Sequence, residues 1–194
     1  LLRKAGGILV PGGFGDRGVE GKILAANYAR VENVPYLGIC LGLQIATIEF
    51  CRNVLGMTGA NSTEFEDNPE HAAIVFMPEI SKTHLGGTMR LGSRPTIWQH
   101  KGSTIRELYG AGETVDERHR HRYEVNPDLI ERIEEAGLLF VGKDDSGQRC
   151  EIFELNGHPY YVGVQFHPEF KSRPGKPSPP FLGLLKAATG QLDG

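Results

Sequence analysis

The chain has 194 residues, 39% of them hydrophobic, enough for one substantial core and too few for two. Its 21 basic and 24 acidic residues leave a formal charge of −3, which argues against non-specific affinity for nucleic acid. No apolar run approaches the ~20 residues that cross a bilayer, and residues 1–7 lack the apolar stretch of a signal peptide.

Three widely spaced cysteines make no disulfide framework and point to reduced thiols in a cytoplasmic setting. The chain starts on leucine and enters a buried-strand pattern almost at once, so a piece of a longer protein is expected.

In chain order, residues 7–10 form a short apolar run that stops at Pro11-Gly12-Gly13-Phe14-Gly15, a loop no regular element absorbs. Residues 19–30 have helical character, 35–40 read as a second buried strand, and 41–54 read as a well-buried helix. Strand, loop, helix, strand, turn, helix implies a parallel sheet with helices on its faces, an α/β fold.

The middle is more polar. Residues 61–70 read as a loop, 74–77, 88–91 and 96–98 as short strands, and 117–125 as a charged extended stretch. Residues 127–136 read as a helix with Asn126 as N-cap and Pro127 at its first position. Strands are expected at 138–141, 151–155 and 160–165. The proline-rich 172–180 is excluded from helix, and a last amphipathic helix spans 181–188.

Gly38-Ile39-Cys40-Leu41-Gly42 fits Gly-x-nucleophile-x-Gly between a strand and a helix. Such a turn holds its central residue in strained geometry while the glycines let the flanking backbones pack closely. A sulfur there lies near a helix N-terminus, whose partial charge favours thiolate. A buried structural cysteine is the competing reading. Cys51 and Cys150, without flanking glycines, read as packed thiols.

In Val164-Gln165-Phe166-His167-Pro168-Glu169, extended residues two apart project together, so Glu169 can orient the His167 imidazole. A surface His–Glu contact is the alternative for this pair by itself. His71, His84, His100 and His158 stand singly in loop-like surroundings and read as solvated, and the spacing of His119 and His121 fits no zinc pattern. The glycines of residues 11–15 suit a backbone donor turned towards an oxyanion, with the N–H of Leu41 as second donor. The loop matches neither dinucleotide nor P-loop patterns.

Together these segments resemble the triad (class I) glutamine amidotransferases. Asn61-Ser62-Thr63-Glu64-Phe65, Gly86-Gly87-Thr88-Met89-Arg90-Leu91-Gly92, residues 117–126 and Ser172-Arg173-Pro174 are similar to the glutaminase domains of the CTP synthase family. The resemblance implies a flavodoxin-like three-layer sandwich with a mostly parallel central sheet. It also implies one amidotransferase domain over 1–194, with an earlier strand–helix unit and the synthetase part outside the chain.

Carried over by motif, Cys40, His167 and Glu169 are the triad. Gly13 and Leu41 are the oxyanion donors, and Gly42, Leu43, Gln44, Glu64 and Arg122 fall on glutamine-binding positions. Arg122 suits an α-carboxylate and Glu64 an α-ammonium. The domain itself implies no cofactor. ATP and Mg2+ belong to the synthetase part, which aminates UTP to CTP with GTP as allosteric activator, in a homotetramer without nucleic acid or membrane. A γ-glutamyl peptide hydrolase of the same fold and a catalytically silent module remain the alternatives.

Overall fold

The computed structural model describes residues 2–77 and 89–192. Two buried strands, β2 (Tyr36–Ile39) and β10 (Tyr161–Val164), form the middle of a parallel unit whose outer member is β1 (Ile8–Val10). Val10 pairs with Gly38 and Val164 with Ile39, so all three strands end at one edge of the sheet.

The sheet continues through β9 (Cys150–Leu155), β8 (Leu138–Lys143), β5 (Arg90–Trp98) and β6 (Thr114–His121), each antiparallel to its neighbour. The α/β class and the layered architecture are as expected, but the sheet is mixed, parallel only across β1, β2 and β10. The reason lies in the connections: helical crossovers join β1 to β2, whereas β8, β9 and β10 are linked by turns too short for a parallel return.

Helices cover both faces. The helices α1 (Val19–Val31), α2 (Leu41–Asn53) and α4 (Ile130–Glu135) share one apolar cluster with Tyr36, Phe153 and Tyr161. The other face, Leu37, Ile39, Val162 and Val164, packs on Ile105 of α3 (Thr104–Leu108) and Leu184 of α5 (Pro179–Ala188). The α2 helix is buried from Leu41 to Cys51, in keeping with its apolar sequence. It also carries Glu49, which is buried and held by Arg30 at 2.8 Å and Asn27 at 2.7 Å.

A smaller sheet, β3 (Ala60–Ser62), β4 (His71–Phe76) and β7 (Tyr123–Val125), stands beside the main one. Residues 61–62, expected as loop, are therefore strand, and β4 begins at His71. The strands expected at 88–91 and 96–98 merge into β5, with Thr88 outside the described residues. His84, Gly86 and Gly87 also lie outside them.

The charged stretch 117–125 is two strands broken at Arg122. Asn126 caps the following turn by accepting from the Asp128 N–H at 3.1 Å. Sequence reading missed α3, whose five residues are too few to show a period; its signal was the Ser103 cap. It also ended the proline segment two residues late, since Pro179 and Pro180 sit in the first turn of α5, where a missing N–H costs nothing. His158, expected in solvent, packs on Tyr161 and reaches the Ala29 carbonyl at 3.0 Å.

Candidate active site

The common edge of β1, β2 and β10 brings three chain segments to one place. The Pro11–Gly15 loop leaves β1, Cys40 leaves β2, and Gln165 to Glu169 leave β10. Cys40 has φ 51° and ψ −99°, a strained conformation for a residue with a β-carbon. The flanking glycines make that turn possible: a β-carbon on Gly38 would fall on the Gly42 carbonyl, and one on Gly42 would collide with the Val10 carbonyl. The Tyr36 hydroxyl donates to the Gly42 carbonyl at 2.9 Å and pins the start of α2.

His167 and Cys40 converge on Gly12. A β-carbon there would lie 2.8 Å from His167 Cε1 and 3.5 Å from Cys40 Cβ, so only glycine leaves the ring its place. His167 Nδ1 is 2.7 Å from Glu169 Oε1. Its backbone N–H donates to the Arg118 carbonyl at 2.8 Å, which ties the loop to β6. His167 Nε2 is buried and meets no hydrogen-bond partner among the described residues.

The Cys40 thiol corrects one expectation. Burial pushes it up to about 12, although the Leu41 N–H and the Gln165 carboxamide pull the other way. Desolvation outweighs the helix N-terminus here, so the shift runs against the thiolate that the turn was expected to favour. Its sulfur lies 3.9 Å from the Arg120 carbonyl and 3.6 Å from Gln165 Nε2.

Cys40 opens onto a cavity of about 40 Å³ lined by Gly13, Phe14, Gln44, Glu64, His121, Arg122 and Tyr123. Four of the residues expected to bind substrate or oxyanion thus share it: Gly13, Gln44, Glu64 and Arg122. Leu41, Gly42 and Leu43 do not line it: Leu41 packs against Gly13, Gly42 against β1, and Leu43 is core. Glu64 has a further contact, accepting the Gly15 N–H at 3.0 Å, so it also fastens the glycine loop. Phe14 is 56% exposed at the cavity mouth, with the Arg120 guanidinium 5.6 Å from its ring.

Three lining or contacting residues escaped the sequence reading: His121, Tyr123 and Gln165. The β6 strand explains the first. In Asp116-Glu117-Arg118-His119-Arg120-His121 the arginines face out, while Glu117, His119 and His121 are buried. That strict alternation was the available signal, masked by the charge of the segment. Burial holds His119 down to about 3 and His121 well below its usual range, which favours neutral rings near His167. A larger hollow, about 350 Å³ between residues 100–104 and 154–160, lies at the opposite end of β10 and touches none of these groups.

The profile of the family described as "Glutamine amidotransferase class-I" matches residues 2–187. A CTP synthase 2 of Xenopus laevis is 60% identical over 99% of this chain and 33% of its own length. A CTP synthase of Dictyostelium discoideum is 61% identical over 99% of this chain and 34% of its own. The chain therefore spans about a third of the curated relatives it matches. Among solved structures, the glutaminase domain of Trypanosoma brucei CTPS with bound acivicin superposes with a TM-score of 0.93 at 41% identity, over 98% of this chain and 73% of that one.

Proposed function

The chain belongs to the class-I glutamine amidotransferases, in the branch of CTP synthase glutaminase domains, and we propose that it hydrolyses L-glutamine to glutamate and ammonia at Cys40. The observation that carries this reading is the meeting of Cys40, the His167–Glu169 pair and the Gly12–Gly13 backbone at one sheet edge, over a cavity walled by Glu64 and Arg122.

The chemistry follows from those groups. The sulfur attacks the side-chain amide carbon of glutamine while its proton passes to His167 Nε2. The carbonyl electrons move onto oxygen, which the N–H groups of Gly13 and Leu41 receive. Collapse breaks the C–N bond, His167 returns its proton to the departing nitrogen, and ammonia leaves a γ-glutamyl thioester. Water, deprotonated by the same imidazole, then adds to the thioester and releases glutamate and the thiol.

Throughout, Glu169 keeps the proton on Nδ1 and stabilises the imidazolium. Arg122 pairs with the α-carboxylate and Glu64 receives the α-ammonium. Gln44 completes the substrate wall, and Gly42 and Leu43 set the backbone from which Leu41 donates.

In the longer protein, the ammonia would pass to a synthetase (amidoligase) part that uses ATP and Mg2+ to aminate UTP to CTP. GTP would be the allosteric activator and a homotetramer the assembly. Among the described residues of this chain no group of three or more His, Cys, Asp or Glu is placed to hold a metal ion. No helix among the described residues is long and apolar enough to cross a membrane.

Acivicin, bound in the trypanosomal relative, provides the test. Mass spectrometry of the treated protein should find one adduct, on Cys40. Modification of Cys51 or Cys150 in its place, or unchanged ammonia release by Cys40→Ala, overturns the proposal.

A further inference from the structure

Gln165 has no part in the reaction written above, yet it is 1% exposed and lies against the nucleophile. Its backbone is fixed at the end of β10, where its N–H donates to the Glu151 carbonyl at 2.8 Å. Its side chain sits between Gln44 and Cys40. Gln44 Nε2 approaches Gln165 Oε1 at 3.4 Å, and Gln165 Nε2 approaches Cys40 Sγ at 3.6 Å.

Hydrogen-bond logic determines which way the two carboxamides face. The Tyr123 carbonyl can only accept, and Gln44 Nε2 lies 2.9 Å from it, so Gln44 must present its NH2 group there. The second hydrogen of that NH2 is directed at Gln165, which must answer with its oxygen. The NH2 group of Gln165 therefore faces the sulfur. A backbone carbonyl thus orients, through two side chains, the donor that meets the nucleophile.

Two donors act on Sγ: the Leu41 N–H and Gln165. Leu41 is also the expected second donor to the oxyanion, so its N–H is drawn from sulfur to oxygen as attack proceeds. The Arg120 carbonyl near Sγ, at 3.9 Å, suits the thiol and not the anion. Gln165 is the donor that keeps its place on sulfur through the whole cycle. It is needed twice, when the thiol ionises to attack and when the thioester collapses and sulfur departs.

We propose that Gln165 is a positioning residue whose carboxamide, locked by Gln44 and the Tyr123 carbonyl, stabilises the negative charge that develops on the Cys40 sulfur when it ionises to attack and when it departs. The proposal rests on Cys40 being the nucleophile, and its test separates the two. Iodoacetamide alkylation of Cys40, read by peptide mass spectrometry between about pH 6 and 10, reports thiolate without requiring glutamine.

Gln165→Met keeps the volume and removes the donor; it should slow alkylation about 10-fold at neutral pH, one donor to a charged atom being worth about that. Gln165→Glu keeps the acceptor for Gln44 and adds negative charge, and should be slower still. In both, kcat should fall with the alkylation rate while KM for glutamine stays within about 3-fold.

Wild-type alkylation profiles in the two variants overturn the proposal, as does a rise in KM with kcat unchanged. A lowered melting temperature with an unaltered alkylation profile assigns Gln165 to packing alone and also overturns it. If wild-type Cys40 resists both iodoacetamide and acivicin, the assignment of the nucleophile fails instead.

Discussion

His167 Nδ1 and Glu169 Oε1 lie 2.7 Å apart across Pro168, and the other ring nitrogen of His167 is buried without a partner among the described residues. The proline confines the backbone between them, which helps hold the carboxylate on Nδ1 and leaves Nε2 free for the proposed proton transfer. Exchanging it for an amide leaves the shape but lets the imidazole take the wrong tautomer. Glu169→Gln is expected to lower kcat for ammonia release about 10²- to 10⁴-fold with little change in KM. Steady-state kinetics on glutamine check this, and an unchanged kcat removes Glu169 from the triad.

Gly12 is a second point of leverage. Its φ is ordinary, so alanine carries no backbone strain there; the difficulty is His167 Cε1, 2.8 Å from the new methyl group. Gly12→Ala should push the ring off its line to Cys40 and cost about 10- to 10²-fold in kcat, as small displacements of a reacting group do. Melting temperature should change far less than turnover. Gly15 offers the contrast: its φ of 74° disfavours alanine although nothing crowds the site, so Gly15→Ala should cost about 1 kcal/mol of stability.

On the proposed reading, the cavity walls recognise the substrate's amino-acid end. Truncating Arg122 to alanine removes a charge-assisted pair worth roughly 1.5–3 kcal/mol, so KM for glutamine should rise about 10- to 10²-fold. Glu64→Gln should raise KM as well and also loosen Gly15, whose N–H it accepts at 3.0 Å. The same kinetics with γ-glutamyl peptides should show glutamine preferred. A preference for peptides would favour a γ-glutamyl peptide hydrolase.

Stability should fall in acid through His119. Burial, with Arg90, His167 and Arg94 nearby, holds its ring down to about 3 from the usual 6.5. The folded state therefore favours neutral imidazole, and below about pH 6.5 the unfolded chain binds a proton that the fold refuses. The contribution is fully present above pH 6.5 and is lost towards pH 3, at up to about 1.4 kcal/mol per pH unit. Urea unfolding at several pH values should show a slope lower by about that amount in His119→Gln. Equal slopes in both proteins would mean His119 is protonated in the fold. Glu151, 3.7 Å from the ring, is the neighbour that would then hold the charge.

What the sequence determined by itself were the short-range patterns: the nucleophile turn, the glycine loop, and the pair His167 and Glu169. Each lies within a few residues, where local backbone geometry alone dictates which atoms can approach. The buried strands at 36–39 and 161–164 were legible for the same reason, since continuous apolar runs between turns have few other uses.

Tertiary structure decided the rest. The contact of Gln165 with Cys40 spans 125 residues and that of Glu64 with Gly15 spans 49, and neither exists until strands pair. The mixed sheet, too, depended on which strands became neighbours and not on how each one reads. Burial, a property of the packed whole, pushes the Cys40 thiol up, against the thiolate that the helix N-terminus alone would favour. A helix N-terminus can be read from neighbouring residues, but the loss of water around a sulfur comes from everything that packs over it.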